Sequence, residues 1–591
     1  MRPVSRPLHS WFPWCSTILM IAIGAAGCGD STAARTGSES HPDAGFTDAS
    51  SVSADAMAPG NNDAAEAGIT TDAGTSVPET SPPFSGPGSI RLMAGSTHLF
   101  AGGGSCTTDA RATGERWCAF SAASHTRLGA TDLYVVNVSQ LVAGAAVNCS
   151  GSEFDSNCLR LTGGFYEDDS HRSGFQGDSL IYFDSTGAVY GWRAGLLNGR
   201  RLGSTNNLRA CIASALGDGV ACLRDLPTQD TIGITSSELL VGRLSNGGPD
   251  PALAVLDTVI SSNIADPSGH PRFQMGFLPS AEPRVAWSTR TEPTGAESLQ
   301  IQEIGVPSSR TQVRADITRW SVSPDGQRWL WLSGPPTSTR GAVLESLAIA
   351  GGDVNSQSVS LAQGVVDYRV LASGGIAFIN TRGVLAELPD SNGASADPAV
   401  VLDTGVIGIV ATGRKGHVAY AKKYDSIFGL ADLFVAGPGG SAVCTLSSQT
   451  VVPVFGSFSA SGDGLLWARV SNLDSFFGDP LDTSAMYTRV SDCQSQLITS
   501  AVGGLRWSGD DSVLFTGDFA SSEGTLRMRR LAANNALDPN SVLIQTRVDA
   551  FAAAGPTPRV ALFTVNVESA NDGVYYYQVP GPAVGDAGVR D

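Results

Sequence analysis

Lysine is nearly absent from this chain, which contains only Lys415, Lys422 and Lys423 among its 591 residues. Charged residues of all types make up 16% of the sequence, and the net charge is −18. Proteins that bind nucleic acids present clustered lysine and arginine side chains to the phosphates. We therefore expect no nucleic-acid partner for a chain that is so acidic and so poor in lysine.

Motifs that bind metals or cofactors are also missing. The sequence contains no glycine-rich nucleotide-binding motif, no calcium-binding loop pattern and no HExxH motif. It has no CxxC pair and no Cys/His cluster with zinc spacing. The acidic cluster Glu167–Asp169 is interpreted as a solvated loop, with a calcium site as the alternative. The sequence thus predicts neither a metal nor a cofactor, although it leaves open carboxylates that only folding would pair.

The N-terminus has the pattern of an export signal. Two arginines precede the apolar stretch Ser16–Gly27, which is too short to cross a bilayer comfortably as a permanent helix. The stretch leads into Cys28 through the sequence AAGC, which resembles the bacterial lipobox, although Ala25 stands where leucine is usual. The resemblance implies that residues 1–27 are a signal peptide and that Cys28 is lipidated. An ordinary secretory peptide or an uncleaved anchor is the alternative.

Residues 28–88 are rich in Ala, Ser, Gly, Thr and Asp, and Arg35 is the only lysine or arginine among them. Such a segment cannot bury enough apolar surface to offset its ordering entropy, so we expect a disordered tether rather than a small domain. We expect a lipid-anchored envelope protein that contacts the membrane through Cys28 and faces the periplasm or the exterior. Gly29 rather than aspartate follows the cysteine, which favours the outer over the inner membrane.

Eight cysteines follow the tether, and an even number in an exported domain predicts disulfides. Two pairs each flank a turn, a third pair closes a short loop, and the last two cysteines remain for each other. This argument from proximity favours the pairs Cys106–Cys118, Cys149–Cys158, Cys211–Cys222 and Cys444–Cys493. Eight cysteines allow 105 connectivities, so the sequence by itself does not decide among them.

A turn followed by a short apolar run recurs along the second half of the chain. Successive turns lie about 41–49 residues apart, which is the length of one four-stranded propeller blade. The turns lie at Glu282-Pro283, Ser323–Gly326, Gly374-Gly375, Lys415-Gly416, Asp463-Gly464, Asp510-Asp511 and Thr557-Pro558. A second β-rich run follows most of these units, as expected for further strands of a small sheet.

The segment SVSPDGQRWLWL resembles the strand–turn–strand element of TolB-type and related WD-repeat-like β-propellers, and FSASGDGLLWA and RWSGDDSVLF are similar. The resemblance implies an all-β propeller of four-stranded blades at residues 89–591. The units are regular at 276–591 and irregular at 89–275. Length suggests seven or eight blades, whereas the turn anchors number about ten when the irregular units at Gly114, Gly177 and Asp218 are added to the seven turns.

Most residues that could carry chemistry have a structural interpretation. The Asp-Gly pairs supply backbone conformations that tight turns require, and we assign the tryptophans to packing between blades, with sugar stacking as the alternative. Gly177–Leu180 spells the GDSL esterase motif, but no histidine follows His417 to serve Ser179 as a base, so we expect a chance match. The remaining histidines are isolated. The tryptophans concerned are Trp287, Trp329, Trp331, Trp467 and Trp507.

These observations favour a non-catalytic binding or scaffold lipoprotein with no catalytic residues, whose partner is an unknown protein or carbohydrate. The sequence favours a protein without enzymatic activity over an enzyme. The alternative is a propeller-fold hydrolase or lyase that acts on polysaccharide or peptide, and a third hypothesis is a structural member of an envelope assembly. Converging carboxylates in a cleft would favour the enzyme.

Overall fold

The computed structural model describes most of residues 89–580, with gaps at loops of which the longest are 261–273 and 471–482. Residues 1–88 and 581–591 lie outside the described part, and so do the predictions for the signal peptide, Cys28 and the tether. The described residues form antiparallel strands almost throughout, which confirms the all-β prediction. They include one short helix, α1 (Val138–Val142), and no helix with the length and apolar content needed to cross a bilayer.

The first strand is separated in sequence from the blade that it completes. Strand β1 (Ser89–Ala94) pairs with a strand near the C-terminus, and the first three blades follow it along the chain. Blade 1 contains β2 (Thr97–Leu99), β3 (Trp117–Ala123), β4 (Thr131–Asn137) and β5 (Cys158–Gly163). Blade 2 contains β6 (Phe165–Tyr166), β7 (Gly174–Gln176), β8 (Ser179–Asp184), β9 (Ala188–Arg193) and β10 (Arg200–Ser204). Blade 3 contains β11 (Ala210–Ala213), β12 (Gly219–Asp225), β13 (Ser236–Arg243) and β14 (Ala254–Ile260).

Blades 4, 5 and 6 form one continuous sheet because two long strands each serve two blades. The fourth strand of blade 4 continues as the first strand of blade 5, and blades 5 and 6 are joined in the same way. The sheet contains β15 (Met275–Phe277), β16 (Arg284–Arg290), β17 (Glu297–Glu303), the shared β18 (Thr311–Val322), β19 (Arg328–Ser333), β20 (Ala342–Ala348), the shared β21 (Val359–Val370), β22 (Ile376–Asn380), β23 (Leu385–Leu388) and β24 (Val400–Asp403).

Four further blades complete the fold, and the last of them takes β1 as its outermost strand. Blade 7 contains β25 (Val406–Thr412), β26 (Val418–Asp425), β27 (Leu430–Ala436) and β28 (Val443–Val451). Blade 8 contains β29 (Gly456–Phe458), β30 (Gly464–Val470), β31 (Thr483–Arg489) and β32 (Gln494–Thr499). Blade 9 contains β33 (Gly504–Trp507), β34 (Ser512–Ala520), β35 (Glu523–Arg530) and β36 (Val542–Val548). Blade 10 contains β37 (Ala550–Ala554), β38 (Val560–Val565), β39 (Gly573–Gln578) and β1.

The blades close into a ring, as the buried apolar clusters show. Ten clusters each combine side chains from two consecutive blades, and one of them joins blade 10 to blade 1. A twisted sheet has two faces to bury, and radial stacking buries both of them against neighbours. The described residues therefore form a β-propeller of ten blades, which have four strands each except blade 2, where β6 and β7 both pair with β8. This number equals the count of turn anchors and exceeds the seven or eight blades suggested by length, because most connections between blades are short and blades 4–6 share two strands.

Tryptophans fill the contacts between blades. Trp287 lies in the cluster between blades 3 and 4, Trp329 and Trp331 lie between blades 4 and 5, and Trp467 lies between blades 7 and 8. All four are almost completely buried, whereas Trp507 is partly buried between blades 8 and 9. Their role is therefore packing, and none of the four presents a ring face for sugar stacking.

Four disulfides stabilise the ring, and their partners are those that proximity in the sequence favours. Cys106–Cys118, Cys149–Cys158 and Cys211–Cys222 lie in blades 1 and 3, and Cys444–Cys493 links blade 7 to the turn after β31 in blade 8. Cys211 and Cys222 stand directly opposite each other on the paired strands β11 and β12. The prediction of disulfide bonds is thus confirmed.

Candidate functional site

A polar groove lies between blades 3 and 4, and its volume is about 550 Å³. Its walls come from the outer strands of the two blades together with the ends of β13, β16 and β17. We call it the blade 3–4 groove. Eight of its ten lining residues carry polar side chains, and volumes of this size are typical of sites for small ligands or short polymer segments. The lining residues are Ser236, Asp257, Thr258, Val259, Ile260, Thr289, Ser298, Gln300, Arg310 and Gln312.

Asp257 provides the one carboxylate among these lining residues. Its Oδ2 accepts hydrogen bonds from the indole Nε1 of Trp287 and from Nη2 of Arg310, both at 2.8 Å. Its Oδ1 accepts the backbone N–H of Thr258 at 3.0 Å. All three partners are donors, so the carboxylate of Asp257 is held as an acceptor of three hydrogen bonds. The side chain of Asp257 keeps 17% of its surface exposed, so it can also meet a molecule in the groove.

Arg310 covers the Asp257–Trp287 pair from the solvent side. Its guanidinium carbon lies 5.3 Å from the centre of the Trp287 ring, which is within the range of a cation–π contact. The arginine side chain is 40% exposed, and a guanidinium carries five N–H donors in a fixed plane. The described contacts engage one of its terminal nitrogens, so the groove presents a cation beside a carboxylate.

Amide and hydroxyl side chains cover the wall contributed by blade 4. Ser298 and Gln300 project from alternate positions of β17, and alternate residues of a strand share one face. Gln300 stands opposite Gln312 on β18, and the two amides are linked at 3.4 Å from Nε2 to Oε1. Such groups form hydrogen bonds in both directions, which suits the hydroxyls of a sugar and the amides of a peptide.

An equivalent of the Asp257 contact occurs three blades away. Asp403 ends the outermost strand of blade 6, and its Oδ2 accepts the hydroxyl of Tyr420 on β26 at 2.6 Å. Lys422 contacts both oxygens of this carboxylate, at 2.9 Å and 3.0 Å. Burial raises the pKa of Asp403, but the hydrogen bonds from Tyr420 and Lys422 outweigh burial and hold it below its ordinary value. An aspartate held by an aromatic side chain and a cation is thus a repeated feature of the packing between blades.

Ser179, the candidate esterase serine, begins strand β8 and is buried at 1% exposure. Its Oγ lies 3.4 Å from the carbonyl oxygen of Ser214 in blade 3, toward which it donates. The residue stands inside a sheet rather than at an exposed strand-to-helix turn, and it is not among the residues that line the groove. The structure therefore gives Ser179 a packing environment.

The turns place glycine in the left-handed region, although not always within the Asp-Gly pair. Gly416 and Gly462 adopt φ angles of 82° and 79°, a region that favours glycine because it lacks a Cβ atom, whereas Gly464 begins strand β30. Asp463 accepts a hydrogen bond from Nζ of Lys415 at 2.6 Å, across the two neighbouring turns. Lys415 and Asp463 do not line the blade 3–4 groove. Their contact connects blade 7 to blade 8.

His417 lies next to this pair, and its ring stacks on Phe458 with the centroids 6.2 Å apart. Burial lowers the pKa of His417 below its ordinary value, the nearby Asp463 acts in the opposite direction, and Lys415 adds to the lowering. The imidazole is therefore neutral at neutral pH, but it lies on a different blade from the groove. His98 is exposed on β2, and the other candidate histidines and the cluster Glu167–Asp169 fall outside the described residues.

The described residues include no group of three or more His, Cys, Asp or Glu side chains placed to hold a metal ion. The sequence analysis missed Asp257 and Arg310, because no motif marks either residue. The available signal was an aspartate within the otherwise apolar run AVLDTVI, since aspartate is depleted in strands. Its partner Arg310 lies 53 residues further along the chain.

No family model matches this chain, and no curated protein matches it. Solved structures do show similarity to parts of the chain. A structure from an analysis of two prolyl endopeptidases is 13% identical, with 66% of this chain and 53% of that chain covered and a TM-score of 0.35. The chain thus spans about half of that protein. Dipeptidyl peptidase 4 of Porphyromonas gingivalis is 11% identical, with 67% and 64% covered and a TM-score of 0.38.

TolB from Acinetobacter baumannii is 13% identical, with 56% of this chain and 80% of that chain covered and a TM-score of 0.24. The similarity to TolB and to protease propeller domains agrees with the β-propeller fold. Several of the structures found are peptidases or hydrolases, including a tricorn protease and a puromycin hydrolase, whereas a eukaryotic initiation factor with a TM-score of 0.42 is not named as one. The peptidase matches contradict the expectation of a non-catalytic scaffold, and that expectation is not kept. Identities this low concern the fold alone, so activity has to be argued from the residues of this chain.

Proposed function

We propose that this protein is a propeller-fold hydrolase that acts on a polysaccharide or a peptide bound in the blade 3–4 groove. The observation that carries the proposal is the carboxylate of Asp257, held in place at the wall of a polar groove of about 550 Å³. Hydrolysis needs a group that accepts a proton from the attacking water, and a positioned carboxylate can serve as that base.

The neighbours of Asp257 have separate tasks in this proposal. Trp287 is buried and fixes the carboxylate through its indole N–H. Arg310 is partly exposed and can stabilise the negative charge that develops on the substrate oxygen. The amides of Gln300 and Gln312 orient the substrate chain along the opposite wall.

The test is a hydrolysis assay of the purified protein against panels of polysaccharides and peptides, which follows new reducing ends and new amino groups. We expect Asp257→Asn to lower kcat about 10²–10⁴-fold, the range typical of general acid–base groups. Asp403→Asn is the matched control, because it removes an equivalent carboxylate from an aromatic–cation pair that does not line the groove. Full activity in Asp257→Asn, equal losses in both variants, or no cleavage by the unaltered protein would overturn the proposal.

We also propose that Cys28 anchors the protein to the cell envelope, with residues 28–88 as a tether. The support is the lipobox-like sequence before Cys28 and the acidic, low-complexity composition that follows it. Cys28→Ser should abolish fatty-acid labelling and membrane fractionation, whereas Cys15→Ser, within the predicted signal peptide, should change neither. Separation of inner from outer membranes then tests the preference for the outer membrane.

A further inference from the structure

The first strands of the blades converge on the centre of the ring. Neighbouring blades touch each other through these strands, as β21 does with β25, β25 with β29, β33 with β37 and β37 with β2. Strands that approach each other in a radial arrangement are the innermost ones, and they line the central channel. The second halves of β18 and β21 hold this position in blades 5 and 6.

The inner strands have an unusual charge. Across all ten blades, the inner strands as described carry four charged residues, of which three are arginines and one is an aspartate. These strands are therefore net positive, although the whole chain has a charge of −18. Three of the four residues lie together on blades 5 and 6. The four residues are Arg319, Asp367, Arg369 and Arg506.

Two guanidinium groups share a single carboxylate oxygen in this cluster. Arg319 donates from Nη1 to Oδ1 of Asp367, and Arg369 donates from Nη1 to the same oxygen at 3.3 Å. Both arginines also reach the carbonyl oxygen of Tyr368, at 3.4 Å and 3.2 Å. The side chain of Asp367 is 12% exposed, whereas those of Arg319 and Arg369 are 26% and 33% exposed.

One carboxylate can neutralise only one of the two guanidiniums. Burial lowers the pKa of Arg369, Asp367 raises it, and Arg319 lowers it further. The second positive charge is thus partly removed from water and set beside a like charge. Within the described contacts, Nε and Nη2 of Arg369 donate to no protein acceptor, and a planar guanidinium is well suited to bind a carboxylate through two such donors.

We propose that Arg319 and Arg369 form a binding site in the central channel for the carboxylate group of a small molecule. Both a simple organic acid and a sugar acid carry such a carboxylate. This site is separate from the blade 3–4 groove, because its residues lie on blades 5 and 6, and it does not depend on the proposed hydrolase activity.

The experiment measures binding of glutarate and of galacturonate to the full chain by calorimetry, with glutaramide and galactose as uncharged counterparts. We expect at least one of the two carboxylates to bind and neither uncharged compound to do so. Arg369→Gln should weaken binding at least tenfold, and Arg369→Lys, which keeps the charge but not the planar donors, should retain part of it. Arg382→Gln alters an exposed arginine in a turn and is the control for the loss of a positive charge.

Asp367→Asn separates this proposal from a purely structural ion pair. The substitution removes the internal carboxylate and keeps both guanidiniums, so carboxylate binding should become at least as tight as in the unaltered protein. A purely structural cluster would instead lose stability in Asp367→Asn without any response to added carboxylate. That result, unchanged binding in Arg369→Gln, or equal binding of the uncharged compounds would overturn the proposal.

Discussion

Blades 1–3 and blades 4–10 reach the same architecture by different means. Three of the four disulfides lie in blades 1 and 3, where the innermost strands are only three or four residues long. Blades 4–6 contain none of these disulfides and instead share the twelve-residue strands β18 and β21. Covalent links are thus concentrated in blades 1 and 3, whereas continuous strands connect blades 4–6.

The blade 3–4 groove lies on the boundary between these two regions. Asp257 comes from the last strand of the irregular part, and Arg310, Gln300 and Gln312 come from the first blade of the regular part. Two consecutive blades of the same regular type would be expected to pack more uniformly along their outer strands. A change of blade type within a ring can thus leave a cavity in which a ligand can bind.

The substitutions with the largest expected effects on stability test whether blades 4–10 are packed more tightly than blades 1–3. Trp331→Ala removes a buried side chain between blades 4 and 5, and it also removes the indole donor, 2.7 Å from Oε2 of the buried Glu345. Trp192→Ala removes an equally buried side chain between blades 1 and 2, whose indole donates to the carbonyl of Leu196. Each should cost about 3–5 kcal/mol of unfolding free energy, with the Trp331 variant at the upper end because a carboxylate loses a donor.

Urea unfolding of the two tryptophan variants measures this difference. Leu197→Ala is the control, because this side chain is 73% exposed and its truncation should change the unfolding free energy by less than about 0.5 kcal/mol. A larger loss in Trp192→Ala than in Trp331→Ala would reverse the comparison. A separate early transition in the Trp192 variant would show that blades 1–3 unfold independently.

Removal of individual disulfides should have the next largest effect. Cys211→Ala/Cys222→Ala opens a link between residues 11 positions apart, and the chain-entropy model gives about 3 kcal/mol for such a loop. Cys444→Ala/Cys493→Ala opens a link between residues 49 positions apart, for which the same model gives about 4 kcal/mol. Thermal unfolding of the two double variants compares them, and a smaller loss for the longer link would show that native packing dominates over loop closure.

The smallest expected effect is the pH dependence of stability caused by His417 in blade 7. Burial lowers the pKa of His417 from its ordinary value of 6.5, so the unfolded chain binds a proton at a higher pH than the folded chain does. Stability should therefore be lost as the pH falls below about 6.5. His417→Gln should flatten this dependence in urea unfolding at pH 7.5 and pH 5.5. An equal loss in the variant would assign the pH dependence to other groups.

Local patterns in the sequence determined the elements of this fold. A tight turn next to an apolar run depends on neighbouring residues only, so the repeat at 276–591 indicates blades without any knowledge of their partners. The three disulfides at close spacing could be predicted for the same reason, since residues 9–12 positions apart meet within one hairpin or loop. The lipobox pattern before Cys28 is likewise local, and it stays a prediction.

Contacts between blades were decided only by the tertiary structure. The number of blades depends on how β18 and β21 each pair with two neighbours, which no local pattern indicates. The Asp257–Arg310 contact and the Arg319–Asp367 pair join residues 53 and 48 positions apart. Such pairs form only when successive blades stack at a particular distance and register, because their energy depends on geometry that a one-dimensional pattern does not contain.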